Sequence, residues 1–173
     1  AEGAGGLHRH DLPNYFGRPI FRDNMSASLV CEQMIRQMNG HIDEMMDAHL
    51  DRKARPGIAF DEWNVWYRST HDPAADCEEI YTYTDALTVA SLLHVIFRNA
   101  ASLRIANASL LVNTLGSIFT DSRRSARQTI FHPQRLLHDT HGGRVLNTVY
   151  DGPAFAAKHE RFFCGIVDAE KAK

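Results

Sequence analysis

The chain has 173 residues, of which 44% are hydrophobic, and a net charge of −2 at pH 7. This hydrophobic content excludes an intrinsically disordered protein. The near-neutral charge and the absence of a basic stripe argue against nucleic acid or an anionic membrane as a partner. No apolar run approaches the roughly 20 residues of a membrane span, and the N-terminal letters AEGAGG lack the pattern of a signal peptide.

The cysteines and histidines show no metal-ligand spacing. Cys31, Cys77 and Cys164 are far apart, and no Cys-x-x-Cys or Cys/His pair of ligand spacing occurs. We therefore expect no metal site and no zinc-stabilised fold. An odd number of widely spaced thiols favours a reducing compartment, so a cytoplasmic location is expected.

The first half of the chain contains one loop-rich segment and one predicted helix. Residues 1–24 predict a strand end near Leu7 followed by a long loop. Near-helical spacing of apolar residues predicts a helix over 25–50, with Asn24 or Ser26 as its N-cap. The apolar stripe consists of Leu29, Met34, Met38, Ile42, Met45 and Met46. We expect this stripe to face the core, although a methionine-rich binding surface is the alternative.

The segment 57–67, GIAFDEWNVWY, is the most informative part of the sequence. Its apolar run at 58–60 follows Pro56-Gly57 and predicts a short strand buried on both faces, as in parallel α/β sheets. Polar and aromatic residues follow immediately. Because function in such sheets lies at the carboxyl ends of the strands, Glu62 is a candidate reactive carboxylate.

The next elements form a predicted strand-helix-strand unit. Residues 84–100 predict a helix, 103–107 a strand and 108–119 a further helix. In a βαβ unit the two strands are parallel neighbours, so we expect Glu62 and Asn107 to lie on the same rim. From residue 127 onward, RQTIFHP and GRVLNTVYDGP predict short β-strands broken by proline, glycine and aspartate.

Three motifs carry a family resemblance. IAFDEWNVWYR (58–68) resembles the seventh-strand motif of the α-L-arabinofuranosidases of glycoside hydrolase family 51. The block 81–120, which begins YTYTDALTVA and includes RIANASLLVN, resembles the segment that follows in this family, and RQTIFHP (127–133) resembles its QTIYYP motif. The order of the three motifs is that of the family.

The resemblance implies a fold and a domain division. Family members are retaining glycosidases with a (β/α)8 barrel and an added β-sandwich. The implied fold class is α/β. Residues 1–126 are expected to form the C-terminal half of a barrel, beginning near its sixth strand, and residues 127–173 the first strands of an incomplete β-sandwich and a polar tail. A complete barrel takes about 250 residues, more than this chain contains.

The resemblance also implies an activity. It assigns the catalytic nucleophile to Glu62, an arabinose-containing carbohydrate as the substrate, and no cofactor. The family's acid/base glutamate lies in an Asn-Glu pair, and this chain contains no such dipeptide. The chain is therefore expected to be weak or inactive alone and to associate with itself or with a complementary N-terminal half. The alternative is a non-catalytic carbohydrate-binding or assembly module derived from such an enzyme.

Aromatic and amide side chains beside Glu62 are candidate substrate contacts. Trp63, Trp66 and Tyr67 are candidates for a sugar platform, with an indole that simply fills the barrel rim as the alternative for each tryptophan. Asn64 is a candidate for bonding sugar hydroxyls or orienting Glu62, and a turn-forming role is equally typical.

Further candidates lie in other segments. Asn107 is a candidate of the same kind as Asn64. His8 and His10 resemble the family's LHxY strand end, and either His10 or Tyr15 takes the place of the tyrosine that orients the nucleophile. Strand alternation predicts that Asp61 points away from the nucleophile, as a structural acid tied to a loop or helix.

One position departs from the family pattern. The family has the sequence LAQLVN after the eighth strand, and the glutamine in it reaches the sugar. Residues 108–113 of this chain are ASLLVN. Leu110 takes the place of the glutamine and has no hydrogen-bonding side chain. The loss of such a contact commonly costs about 1–3 kcal/mol, so substrate preference or activity is expected to differ.

Overall fold

A computed structural model describes residues 20–49, 54–65, 80–140, 142–146 and 148–154, with side chains from residue 25 onward. Its elements are α1 (Ile20–Ala48), β1 (Ile58–Trp63), α2 (Tyr83–Arg98), β2 (Leu103–Ala108), β3 (Leu110–Val112), β4 (Gly116–Thr120), β5 (Ser125–Arg127) and α3 (Phe131–His138). The α/β class is confirmed. None of the helices in these ranges is long and apolar enough to cross a membrane.

Two small sheets organise the described residues. Strands β1 and β2 pair in parallel, with Ile58 opposite Leu103 and Phe60 opposite Ala106. The second sheet has the order β3-β4-β5, in which β4 and β5 are antiparallel. The predicted parallel pairing of the two strands on either side of α2 is confirmed. Their carboxyl ends, which carry Glu62 and Asn107, lie on the same edge.

The core lies between β1–β2 and the helices α1 and α2. One buried cluster contains Trp63, Val65, Tyr81, Val89, Leu92 and Ile130, and a second contains Ile35, Val95 and Leu103. Phe60 and Ala106, which are opposite each other in the sheet, pack against both clusters. Because one face of the sheet supplies these contacts, the other face of β1 and β2 stays open: Ile105 is 50% exposed.

Helix α1 differs from the prediction at its start and on its buried face. It begins at Ile20, so Asn24 and Ser26 lie inside the helix and not at its N-cap position. The predicted core stripe is also wrong in part, because Leu29, Met34 and Met38 are exposed. The face that packs on α2 and the sheet is instead formed by Ser28, Cys31, Ile35 and Ile42. These residues follow one another at spacings of three, four and seven, which is one face of a helix.

The helix predicted over 108–119 is wrong, because this segment forms β3 and β4. Asn113 and Leu115 have φ angles of 56° and 51° and form the short connection between these two strands, which pair in parallel. Gly116 follows, and a Cβ there would lie 2.5 Å from the carbonyl carbon of Val112. This close approach explains why the connection needs glycine, and a glycine inside an apolar run is itself unfavourable for a helix.

The strand predicted within RQTIFHP is wrong, and the described part of GRVLNTVYDGP contains none. The last strand among the described residues, β5, ends at Arg127, and residues 131–138 form α3, with Pro133 in the first turn, where a proline is tolerated. Residues 142–146 and 148–154 contain no strand. The predicted strand end near Leu7 and the tail after residue 154 lie outside the described residues.

Candidate active site at the carboxyl ends of β1 and β2

Glu62 lies in a β-bulge at the end of β1. From Phe60 to Trp63 the chain advances three residues, whereas the paired segment of β2 advances two, from Ala106 to Ala108. The extra residue is accommodated by Glu62, whose φ angle is 57°. A left-handed backbone is unfavourable for a non-glycine residue and is typical of bulges and functional sites. Glu62 is exposed.

Asp61 and Asn107 connect the ends of the two strands. The Asn107 side-chain amide donates a 2.6 Å hydrogen bond to the Asp61 carboxylate, and both residues are exposed. The expectation that Asp61 is tied to a loop or helix is therefore wrong, since its partner lies on the neighbouring strand. Opposed positions of parallel strands share a face, which explains this contact.

Asn64 makes a turn. Its side-chain oxygen accepts a 2.7 Å hydrogen bond from the Val65 amide, and its side-chain nitrogen donates to the Leu115 carbonyl at 2.6 Å. Both ends of the amide are thus engaged with backbone. The turn-forming role considered from the sequence describes this geometry, and Asn64 fastens the residue after β1 to the connection between β3 and β4.

Trp63 is only 7% exposed and belongs to the first core cluster. This placement matches the structural alternative, an indole that fills the rim, and not a surface that stacks on a sugar. Its Nε1 is buried without a hydrogen-bond partner among the described residues. The side chain immediately after Glu62 therefore anchors the strand end in the core.

Tyr81 and Gln128 are two site residues that sequence reasoning missed. The Tyr81 hydroxyl donates to the Val65 carbonyl at 2.9 Å, and the Tyr81 backbone amide donates to Gln128 Oε1 at 2.9 Å. Gln128 Nε2 in turn donates to the Gly116 carbonyl at 2.8 Å. Tyr81 belongs to the motif YTYTDALTVA and Gln128 to RQTIFHP, and this membership was the available signal.

Five other candidates from the sequence lie outside the described residues: His8, His10, Tyr15, Trp66 and Tyr67. The described residues contain no group of three or more potential metal ligands. The acid of α1 nearest the core, Glu32, is paired with Arg36 and Arg98 at 3.2 and 3.0 Å.

Comparison with known proteins decides the family. The family model described as the α-L-arabinofuranosidase C-terminal domain matches residues 61–172, which include Glu62 and most of the chain. The chain belongs to the α-L-arabinofuranosidase family. An intracellular exo-α-(1→5)-L-arabinofuranosidase of Acetivibrio thermocellus is 36% identical over 120 residues, which are 60% of this chain and 24% of that relative.

Further arabinofuranosidases agree with this assignment. The enzyme of the same name from Halalkalibacterium halodurans is 30% identical over 163 residues, covering 86% of this chain and 30% of the relative. The α-L-arabinofuranosidase of Thermotoga maritima, solved as an arabinose complex, has a TM-score of 0.61 at 27% identity and covers 74% of this chain and 25% of its own. This arabinofuranosidase-family chain thus spans 24–30% of the length of these relatives.

A family 51 α-L-arabinofuranosidase from Bifidobacterium longum gives the same result in structure. Its TM-score is 0.57 at 28% identity, covering 65% of this chain and 24% of its own. Sequence and structure therefore agree on a family 51 arabinofuranosidase C-terminal domain.

Proposed function

We propose that the chain is the nucleophile-bearing part of a retaining α-L-arabinofuranosidase that acts on arabinose-containing oligosaccharides or polysaccharides. One observation carries this proposal: Glu62 occupies a strained, exposed position in a bulge at the carboxyl end of a parallel strand. Strain of this kind persists where the surrounding structure enforces it, and it is concentrated at active sites. The name of the relatives supplies the sugar class.

In the proposed reaction, a carboxylate oxygen of Glu62 attacks the anomeric carbon of the arabinosyl group. The new C–O bond forms as the bond to the leaving-group oxygen breaks, and that oxygen takes a proton from a second carboxyl group. Water then cleaves the glycosyl ester, and the second carboxylate removes a proton from this water. Glu62 is regenerated as a carboxylate, so the site needs neither a metal nor a redox cofactor.

The proposal places the acid/base carboxylate outside these 173 residues. The chain has no Asn-Glu dipeptide, and Glu32 is engaged with two arginines. We therefore propose a complementary N-terminal half or a second copy as the partner. Leu29, Met34 and Met38 on α1 and Leu111 on β3 expose apolar surface for this contact. Light scattering measures this association. A chain that stays monomeric alone and does not bind an added N-terminal half would contradict the proposed assembly.

The remaining substrate contacts belong to the same proposal. Asn107 lies at the carboxyl end of the strand beside Glu62 and is proposed to face the sugar. The other proposed contacts are Trp66, Tyr67, His8, His10 and Tyr15, and Asn64 and Trp63 are proposed to support the rim. A division into a partial barrel (1–126) and the start of a β-sandwich (127–173) is likewise proposed. So is a cytoplasmic location, since several relatives are named intracellular.

A second candidate function is a non-catalytic carbohydrate-binding or assembly module. The observation in its favour is Leu110, which stands where the family has a glutamine and is 51% exposed. Such a module would bind an arabinoside without forming a covalent intermediate. The two functions therefore differ in one measurable step.

A trapping experiment separates them. The leaving group of α-L-arabinofuranosyl fluoride departs without a proton, so attack by Glu62 needs no acid, and the glycosyl ester accumulates because no base activates water. Mass spectrometry of the digested chain is expected to find one arabinosyl group on the peptide that contains Glu62. The adduct should vanish in Glu62→Gln and persist in Glu44→Gln, a control in which an exposed acid of α1 is removed. Absence of an adduct in the wild-type chain would favour the non-catalytic module.

A further inference from the structure

The strand end that carries Glu62 is connected to the second sheet by a series of buried hydrogen bonds. We call the three linked contacts, Val65 carbonyl to Tyr81 hydroxyl, Tyr81 amide to Gln128 Oε1, and Gln128 Nε2 to Gly116 carbonyl, the Tyr81–Gln128 relay. Their lengths are 2.9, 2.9 and 2.8 Å. The relay thus joins the first residue of β4 to a carbonyl three residues beyond Glu62.

The relay is rigid because it is buried. Tyr81 is 4% exposed, and Val65 and Gln128 are each 6% exposed. A buried carbonyl or amide that loses its partner is costly, so the groups of the relay have few alternative positions. The backbone amide of Gln128 also donates to the Ser117 carbonyl at 2.9 Å, which fixes the far end of the relay on β4.

Such a support is what the conformation of Glu62 requires. A left-handed glutamate persists only where the residues on both sides are held in place. On the one side β1 is paired with β2. On the other side Trp63 is anchored in the core and Val65 is held by Tyr81. Release of the Val65 carbonyl would let the segment after the bulge relax.

We propose that Tyr81 is a positioning residue for Glu62. Its hydroxyl fixes the Val65 carbonyl and thereby the direction in which the Glu62 carboxylate leaves the strand, and Gln128 holds Tyr81 in place. Tyr81 itself does not touch the sugar. This inference rests on the proposed nucleophilic role of Glu62.

The chain offers a matched control. The Thr129 hydroxyl donates to the Thr82 carbonyl at 2.7 Å, so it joins the same two segments as Gln128 and Tyr81. This hydrogen bond does not reach the end of β1. Thr129→Val therefore weakens the contact between the segments 81–82 and 128–129. Tyr81→Phe removes the hydrogen bond to the Val65 carbonyl.

The test measures the rate of labelling by α-L-arabinofuranosyl fluoride over a range of probe concentrations. In Tyr81→Phe the maximal rate is expected to fall roughly 10- to 100-fold, as is typical when a reacting group is misplaced, while the half-saturating concentration stays unchanged. Amide hydrogen exchange at residues 62–65 should accelerate. Thr129→Val should leave the maximal rate and this exchange as in the wild type.

The outcomes separate this inference from the proposed function. If Glu62→Gln is unlabelled but Tyr81→Phe reacts at the wild-type rate, the positioning role is overturned and the nucleophile stands. An equal loss of the labelling rate in Thr129→Val also overturns the positioning role, because a hydrogen bond that does not reach the end of β1 would then have the same effect. If labelling persists in Glu62→Gln, the proposed function fails. Unchanged amide hydrogen exchange at residues 62–65 in Tyr81→Phe would overturn the relay as a support of the strand end.

Discussion

The Asn107 amide donates a 2.6 Å hydrogen bond to the carboxylate of Asp61, the residue directly before Glu62. The contact spans the two parallel strands at the edge where polar side chains collect. It therefore fixes the last residues of β2 relative to the bulge of β1. Because both side chains are exposed, the hydrogen bond competes with water and contributes less than a buried one.

We expect Asp61 and Asn107 to be energetically coupled. Asp61→Ala and Asn107→Ala should each lower the free energy of unfolding, and the double variant should lose less than the sum of the two. A net contribution of about 0.5–1.5 kcal/mol is usual for such a bond, and the exposed setting predicts the lower end. Urea unfolding of the four proteins measures the coupling. Additive losses would mean that the contact contributes nothing to stability.

The backbone of Glu62 gives a prediction in which stability and activity move apart. A left-handed residue other than glycine costs about 1–2 kcal/mol, and glycine costs about 0.4–1 kcal/mol through the entropy of the unfolded chain. Glu62→Gly should therefore be more stable than Glu62→Ala by about 0.5–1 kcal/mol, the difference of these terms. Both variants lack the carboxylate and should lose arabinosyl labelling. Thermal unfolding of the pair checks this, and a more stable alanine variant would argue against strain at residue 62.

The extent to which the sequence predicts this structure follows from how local each signal is. The strand before Glu62 and the strand at 103–107 were predictable because short apolar runs with turn residues on either side have few alternatives. The helix wrongly predicted at 108–119 shows the limit. Its apolar run fits a strand or a helix equally, and the connection between the parallel strands β3 and β4 depends on a left-handed backbone at Leu115, which a leucine does not signal.

The site shows the same division. The position of Glu62 at the carboxyl end of a parallel strand was predictable from its segment. Its support was not, because Gln128 contacts Tyr81 across 47 positions of sequence. The buried face of α1 was also missed, since two faces of this helix carry apolar residues and only packing against α2 selects between them.

Asp121 gives a prediction for pH. Its carboxylate accepts hydrogen bonds from the backbone amides of Arg123 and Arg124, both at 2.7 Å, and these donors lower the pKa of Asp121 below its ordinary value of 3.8. A lowered pKa in the folded state stabilises the fold above the ordinary value, and this contribution disappears as pH falls through the lowered pKa. Asp121→Asn should therefore be less stable than the wild type at pH 6, and the difference should shrink below pH 3.8. Urea midpoints across this range measure it, and a difference that is constant with pH would contradict the hydrogen-bonded carboxylate.

Leu110 gives the prediction that bears most directly on the substrate. It is the first residue of β3, directly after the strand of Asn107, and it is half exposed where family members carry a glutamine that reaches the sugar. Leu110→Gln restores a donor and an acceptor at this position. A regained hydrogen bond is worth about 1 kcal/mol or more, so the half-saturating concentration of α-L-arabinofuranosyl fluoride should fall roughly fivefold to tenfold. The matched control is Leu111→Gln, an adjacent leucine that is 68% exposed and points to the opposite face of the strand. Equal effects of the two substitutions would indicate a general gain from a more polar surface and would remove Leu110 from the sugar site.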